Sequence, residues 1–144
     1  REYYAMIIRS RAPLRLGFAG GGTDVSPYCD LYGGFIMNAT IDLYAYAFLK
    51  KRSDRNVRFE ALDFDAAFEF TENELNYTPK SLDLHKGVYE RIIRDYNNST
   101  PIPLTLTTYC ECPPGSGLGA SSTLTVAMVR AFAEFLKMLD AFGN

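Results

Sequence analysis

The densest chemistry in this 144-residue chain lies in one run, Pro113, Pro114, Gly115, Ser116, Gly117, Leu118, Gly119, Ala120, Ser121 and Ser122. Glycines at alternate positions let the backbone take positive φ and bring N–H groups against an anion with no Cβ in the way. Hydroxyls follow at Ser121, Ser122 and Thr123, where a helix is expected to start. A helix start offers free N–H groups and the positive end of the helix dipole. Together these features suit phosphate binding, with hydroxyls able to bond its oxygens or ligate Mg²⁺. Two other phosphate motifs are excluded by the letters. A Walker loop needs Gly-Lys-Ser/Thr, and here Ala120 follows Gly119. A dinucleotide fingerprint needs Gly-x-Gly-x-x-Gly, which Gly115, Gly117 and Gly119 do not provide. A simple turn with a serine cap would require one glycine and one hydroxyl, fewer than are present.

A second candidate is Gly20, Gly21, Gly22, Thr23 and Asp24, a loop where backbone can approach a ligand closely. The Asp24 carboxylate can accept two hydroxyl hydrogen bonds, or it can cap a short helix over residues 25–32. Arg11 and Arg15 offer cations to a substrate phosphate, with surface ion pairing as the alternative. His85 is the sole histidine; a structural role and a substrate contact are both open. Tyr28, Tyr44, Tyr46 and Tyr109 are read as packing residues.

These residues need a scaffold. Residues 7–18 read as extended, with Pro13 confining its neighbourhood to an edge or an irregular turn. Residues 35–51 are rich in β-branched and aromatic side chains and predict a strand bent near Asp42. Residues 57–63 and 67–70 read as short strands. Leu84, Val88, Ile92 and Tyr96, widened by Tyr89 and Ile93, predict a helix over 84–96. Residues 104–112 alternate as a strand, and Leu124, Met128, Ala131, Phe135 and Leu139 predict a second helix over 121–139. The expected fold class is α+β, a mixed or antiparallel sheet packed with helices.

Composition narrows the function. Hydrophobic residues make up 47% and charged residues 22%, a globular balance. A net charge of −2 offers no broad attraction for nucleic acid or an anionic membrane. The basic cluster Lys50, Lys51, Arg52, Arg55 and Arg58 is expected to be a solvated hairpin end. No stretch is apolar enough to cross a bilayer. The three cysteines, Cys29, Cys110 and Cys112, suit buried, reduced thiols in a cytoplasmic protein better than a disulfide framework. Met6 is the expected natural start, with residues 1–5 an artificial addition.

The run 113–122 resembles the second signature motif of the GHMP kinases, the small-molecule kinases that include galactokinase, homoserine kinase, mevalonate kinase and phosphomevalonate kinase. Ala120 is a departure, since many members have serine there. Residues 11–24 occupy the family's first motif, and residues 11–42 together with 84–89 look most like the heptose 7-phosphate kinases within it; fucokinases are similar but less so. The likeness covers nearly the whole chain from Met6.

That resemblance implies the GHMP kinase N-terminal, ATP-binding fold over residues 6–144, as an incomplete part of a longer enzyme. It implies ATP and Mg²⁺ as cofactors, with Pro114, Gly115, Ser116, Gly117, Leu118, Gly119, Ala120, Ser121 and Ser122 at the nucleotide and Ser121 on the metal. It implies a sugar phosphate as substrate, near Arg15, Gly21, Gly22, Thr23, Asp24 and His85. A third glycine-rich motif and the catalytic base are expected beyond Asn144. The expected reaction is phosphorylation of the anomeric hydroxyl of D-glycero-D-manno-heptose 7-phosphate, for surface polysaccharide or nucleotide-sugar synthesis. A homodimer is an open option. The rival readings are a non-catalytic nucleotide- or sugar-binding module, a fucokinase-like enzyme, and a decarboxylase of the mevalonate diphosphate type.

Overall fold

A computed structural model describes residues 7–71 and 79–142, so residues 1–6, where the expected start falls, lie outside the description. Five strands form one sheet: β1 (Ile7–Ala19), β2 (Met37–Lys51), β3 (Asn56–Ala61), β4 (Ala66–Thr71) and β5 (Leu104–Cys110). Three α-helices accompany them: α1 (Tyr28–Tyr32), α2 (Asp83–Tyr96) and α3 (Ala120–Phe142). The spatial order is β1-β2-β5-β3-β4. All neighbours are antiparallel except β3 and β5, which are parallel. The sheet is mixed and helix-packed, in keeping with an α+β fold.

Alternation decides which face is covered. Ala12 and Leu14 of β1, Ala45, Ala47 and Leu49 of β2, Val57 and Phe59 of β3, and Leu104 and Leu106 of β5 are all buried. They meet α3 through Leu124, Met128, Ala131 and Phe135, and α2 through Val88, Tyr89, Ile92 and Ile93. Every second residue of a strand reaches the same face, so one apolar layer forms between sheet and helices. The Ser10 hydroxyl donates to the Ala127 carbonyl, fastening α3 onto β1. The other face carries Tyr44, Tyr46 and Phe48, with the Arg11 guanidinium over the Tyr44 ring at 4.4 Å and Arg9 over Tyr46 at 5.1 Å. Arg11 is thus engaged on this outer face rather than at either glycine loop.

Three expectations need correction. The basic cluster is not a hairpin end, because β5 lies between β2 and β3 and residues 52–55 cross over its end. Arg52 is tied there, its N–H to Pro103 O at 3.2 Å and its guanidinium to Asp54 and Glu69. The helix expected over 25–32 spans only Tyr28–Tyr32, preceded by a cis Ser26–Pro27 bond, and Asp24 does not cap it. The strand expected over 57–63 ends at Ala61 and turns into a single 3₁₀ turn, Leu62–Phe64. The bend near Asp42 is present: Pro13 pairs with Tyr44 but Arg15 with Thr40, so β2 holds two extra residues opposite Leu14.

Candidate functional site

β1 and β5 both run antiparallel to β2, so their C-terminal ends emerge at the same end of the sheet. Two loops leave from there, residues 20–36 after β1 and residues 111–119 after β5. Topology therefore puts at the same end of the sheet the two glycine runs that lie about ninety residues apart in sequence.

In the second loop, Gly115, Gly117 and Gly119 have φ of +77°, +74° and +73°. Side chains rarely adopt this left-handed region, and glycine enters it freely. The alternation curls the backbone into a concave wall around a cavity of about 360 Å³, lined by residues 115–117 and 119–122. Gly119 O is the anchor of the helix start. It accepts from the Thr123 N–H at 3.0 Å, the Thr123 hydroxyl at 2.9 Å and the Ser122 hydroxyl at 3.0 Å. Ser121 differs from both neighbours. It is exposed, and no hydrogen bond of its hydroxyl occurs among the described contacts, although its carbonyl accepts from Thr125 Oγ1 at 2.9 Å. No carboxylate lines the cavity. The wall is therefore rich in donors, electrically suited to an anion.

The second loop touches β1. The Arg15 N–H donates to Leu118 O at 3.2 Å. The Arg15 side chain lies so close to Gly119 that a Cβ there would sit 3.1 Å from its Nε. Arg15 thus stands against the glycine wall, closer to the second loop than its place in the first motif suggested. A second open cavity, about 270 Å³, adjoins the first. Arg15, Asn38, Thr40, Ser122 and Thr123 are among its lining residues, and Ser122 lines both cavities.

The first loop is a clasp. A Cβ on Gly20 would sit 1.8 Å from Phe35 O, so glycine is obligatory there. Thr23 closes the clasp, donating its hydroxyl toward Gly20 O at 2.7 Å and Phe35 O at 3.0 Å and accepting from the Phe35 N–H at 3.1 Å. Thr23 is thereby occupied within the loop. Gly21, Gly22 and Asp24 are exposed, and the Asp24 carboxylate has no partner among the described contacts. Three residues of β1 lie between Arg15 and Ala19, which are about 13 Å apart along the strand.

His85 is the site candidate that the structure does not bring to the loops. It is 3% exposed, with Nε2 at 2.8 Å from Thr108 Oγ1 and its ring beside Phe59. Burial pushes it down to about 4, partly offset by the Glu60 main chain. It is a neutral core histidine in this arrangement. Cys110 and Cys112 are also core residues, their sulfurs 3.2 Å apart, and burial pushes the Cys110 thiol up to about 11. Asn38 and Thr40 line the cavity beside Arg15 and are absent from the sequence-based candidates. The bend at Asp42 was the available signal, since it swings the start of β2 toward α3. A larger cavity of about 520 Å³ lies between Lys51, the 96–103 segment and the end of α3. That is about 24–30 Å along α3 from the glycine wall, and among the described residues Lys51 and Asp140 are its only charged lining residues.

Comparison with known proteins bears on the family and the fold. Residues 83–141, from α2 through α3, match the family model for the GHMP kinases N terminal domain. The chain belongs to the GHMP kinases as their N-terminal domain. Within that family it is 45% identical over 131 residues to a D-glycero-alpha-D-manno-heptose 7-phosphate kinase from Campylobacter jejuni, covering 91% of this chain and 38% of that protein. It superposes with a TM-score of 0.81 and 46% identity on a D-glycero-D-manno-heptose 1-phosphate kinase from Bacteroides thetaiotaomicron, over 92% of this chain and 42% of the other. Mevalonate kinase from Methanococcus jannaschii shares the fold at a TM-score of 0.69 and 18% identity, over 94% of this chain and 42% of the other. The chain spans about two fifths of the length of these relatives. No described helix is long and apolar enough to cross a membrane.

Proposed function

We propose that this domain is the nucleotide-binding part of an ATP-dependent sugar kinase whose acceptor is a heptose phosphate. The observation that carries the reading is the wall formed by Gly115, Gly117 and Gly119, each at positive φ, at the start of α3 with the Ser121 hydroxyl unengaged. Phosphoryl transfer requires positioning and charge neutralisation more than covalent help from the protein. The N–H groups of the wall and of the first turn of α3 hold the nucleotide phosphates. Arg15, against Gly119, adds a cation at their edge. Ser121, exposed at the helix start with no hydrogen bond of its hydroxyl among the described contacts, is the residue suited to a phosphate-bound Mg²⁺. When bound, Mg²⁺ neutralises charge on the phosphates.

Asp24 accepts sugar hydroxyls at the mouth of the first loop. Among the described residues no carboxylate lines either cavity, and we propose that the base that takes the acceptor's proton lies in the part of the relatives that this chain does not span. The names of the two heptose kinases place the pre-existing phosphate at opposite ends of the sugar. We take the 7-phosphate as the acceptor, with transfer to the anomeric hydroxyl, after the name of the Campylobacter jejuni relative; the 46% identity to the 1-phosphate kinase makes that sugar the competing acceptor. Phosphorus NMR of the whole protein with ATP and each sugar phosphate tests this. A bisphosphate formed from heptose 7-phosphate is expected, and conversion of the 1-phosphate alone, or of neither, would reject the assignment.

A further inference from the structure

The cavity beside the glycine wall has polar residues that no motif assigned. Asn38 and Thr40 come from the start of β2, beyond the two-residue bulge, and Thr40 is the cross-strand partner of Arg15. Neither side chain makes a hydrogen bond among the described contacts. Ser122 donates to Gly119 O, leaving its oxygen free to accept. Thr123 donates its hydroxyl to the same carbonyl but, unlike Ser122, is buried. The cavity therefore offers a guanidinium, an amide and a hydroxyl that both donate and accept, and one further acceptor. No carboxylate is among its lining residues. That set suits a polyhydroxylated ligand placed next to an anion.

Position decides which ligand. Ser122 belongs to both cavities, so a molecule filling this one abuts whatever the glycine wall holds. A reacting hydroxyl must come within about 3–3.5 Å of the phosphorus it attacks. Taken together the two cavities fall within the roughly 300–1,000 Å³ of ordinary ligand sites, while the smaller one alone falls just short. We propose that Asn38 and Thr40 are specificity-determining residues that hydrogen-bond the reacting end of the acceptor sugar, while Arg15 spans the boundary to the nucleotide phosphates. This inference rests on the kinase reading above.

Calorimetric titration of the whole protein separates the possibilities without relying on turnover. Heptose 7-phosphate and a non-hydrolysable ATP analogue are titrated separately into wild type, Asn38→Ala, Thr40→Val and Thr40→Ser. Each lost neutral hydrogen bond should weaken sugar phosphate binding about three- to tenfold, leaving analogue affinity unchanged. Thr40→Ser, which keeps the hydroxyl, should bind as wild type does, and matching melting curves exclude misfolding. Loss confined to the ATP analogue would assign the cavity to the nucleotide and overturn the proposal. Unchanged sugar binding in both Asn38→Ala and Thr40→Val would also overturn it. Wild-type protein that binds the analogue but no sugar phosphate would instead reject the kinase's acceptor assignment, and this proposal with it.

Discussion

The main-chain N–H of Arg15 donates to the carbonyl of Leu118 at 3.2 Å, joining the strand that leads into the first glycine loop to the second loop itself. One residue further on, Gly119 leaves the space in which the Arg15 side chain lies. These contacts set the strand of the first motif against the second loop, and they fix the backbone geometry there.

Replacing Gly119 with alanine should damage that geometry twice. Its φ of +73° disfavours any side chain by about 1–2 kcal/mol. The new Cβ would also press on Arg15 Nε at 3.1 Å. Melting should fall by roughly 2–8 °C, and titration with an ATP analogue should show binding weakened at least about tenfold. Unaltered nucleotide affinity would mean that the wall does not hold phosphate.

Ser121→Ala should behave differently, because its hydroxyl bonds nothing in the described structure. Stability should stay within about 0.5 kcal/mol of wild type. Turnover should fall roughly ten- to a hundredfold, the loss of one hydrogen bond or ligand to a charged group. A melting shift with full turnover would reduce Ser121 to a structural role.

Much of this arrangement is visible in the sequence, and the exceptions have physical causes. Alternating glycines before a hydroxyl run announce the wall because the requirement is local: each positive φ belongs to one residue. The position of β5 between β2 and β3 is not local, since nothing in residues 50–58 records which distant strand will lie alongside. The core role of His85 is obscured for a different reason. A stripe of Leu84, Val88, Ile92 and Tyr96 centres the buried face one residue too early, leaving Tyr96 70% exposed. The buried set is His85, Val88, Tyr89, Ile92 and Ile93, at helical spacings that include the histidine once it is counted as a core residue.

His85 should make stability depend on pH. Its folded value of about 4 lies below the ordinary 6.5, so the unfolded chain binds the proton first. Stability is full above pH 6.5 and declines as pH falls toward 4, by about 3 kcal/mol at the limit. Urea titrations between pH 4 and 7 should show this slope in wild type and its loss in His85→Gln, which can still reach Thr108. Parallel slopes in the two proteins would show that His85 is not held neutral.

Asp24→Ala should weaken sugar binding about ten- to a hundredfold while ATP affinity stays the same, since a carboxylate accepting hydroxyls contributes roughly 1.5–3 kcal/mol. The fold should be unaffected, because Asp24 caps no helix and has no partner in the described structure. Calorimetry with each ligand checks both halves; a loss restricted to ATP would move Asp24 to the nucleotide side.

The central claim is that residues 115–122 hold the nucleotide phosphates, and a crystal structure of the whole protein with a non-hydrolysable ATP analogue and Mg²⁺ tests it most directly. The account predicts the phosphates inside the curve of Gly115, Gly117 and Gly119, with N–H groups of the loop and of the first turn of α3 pointing at their oxygens and Ser121 on the metal. Phosphates bound elsewhere, for instance in the larger cavity between Lys51 and Asp140 at the far end of α3, would contradict it.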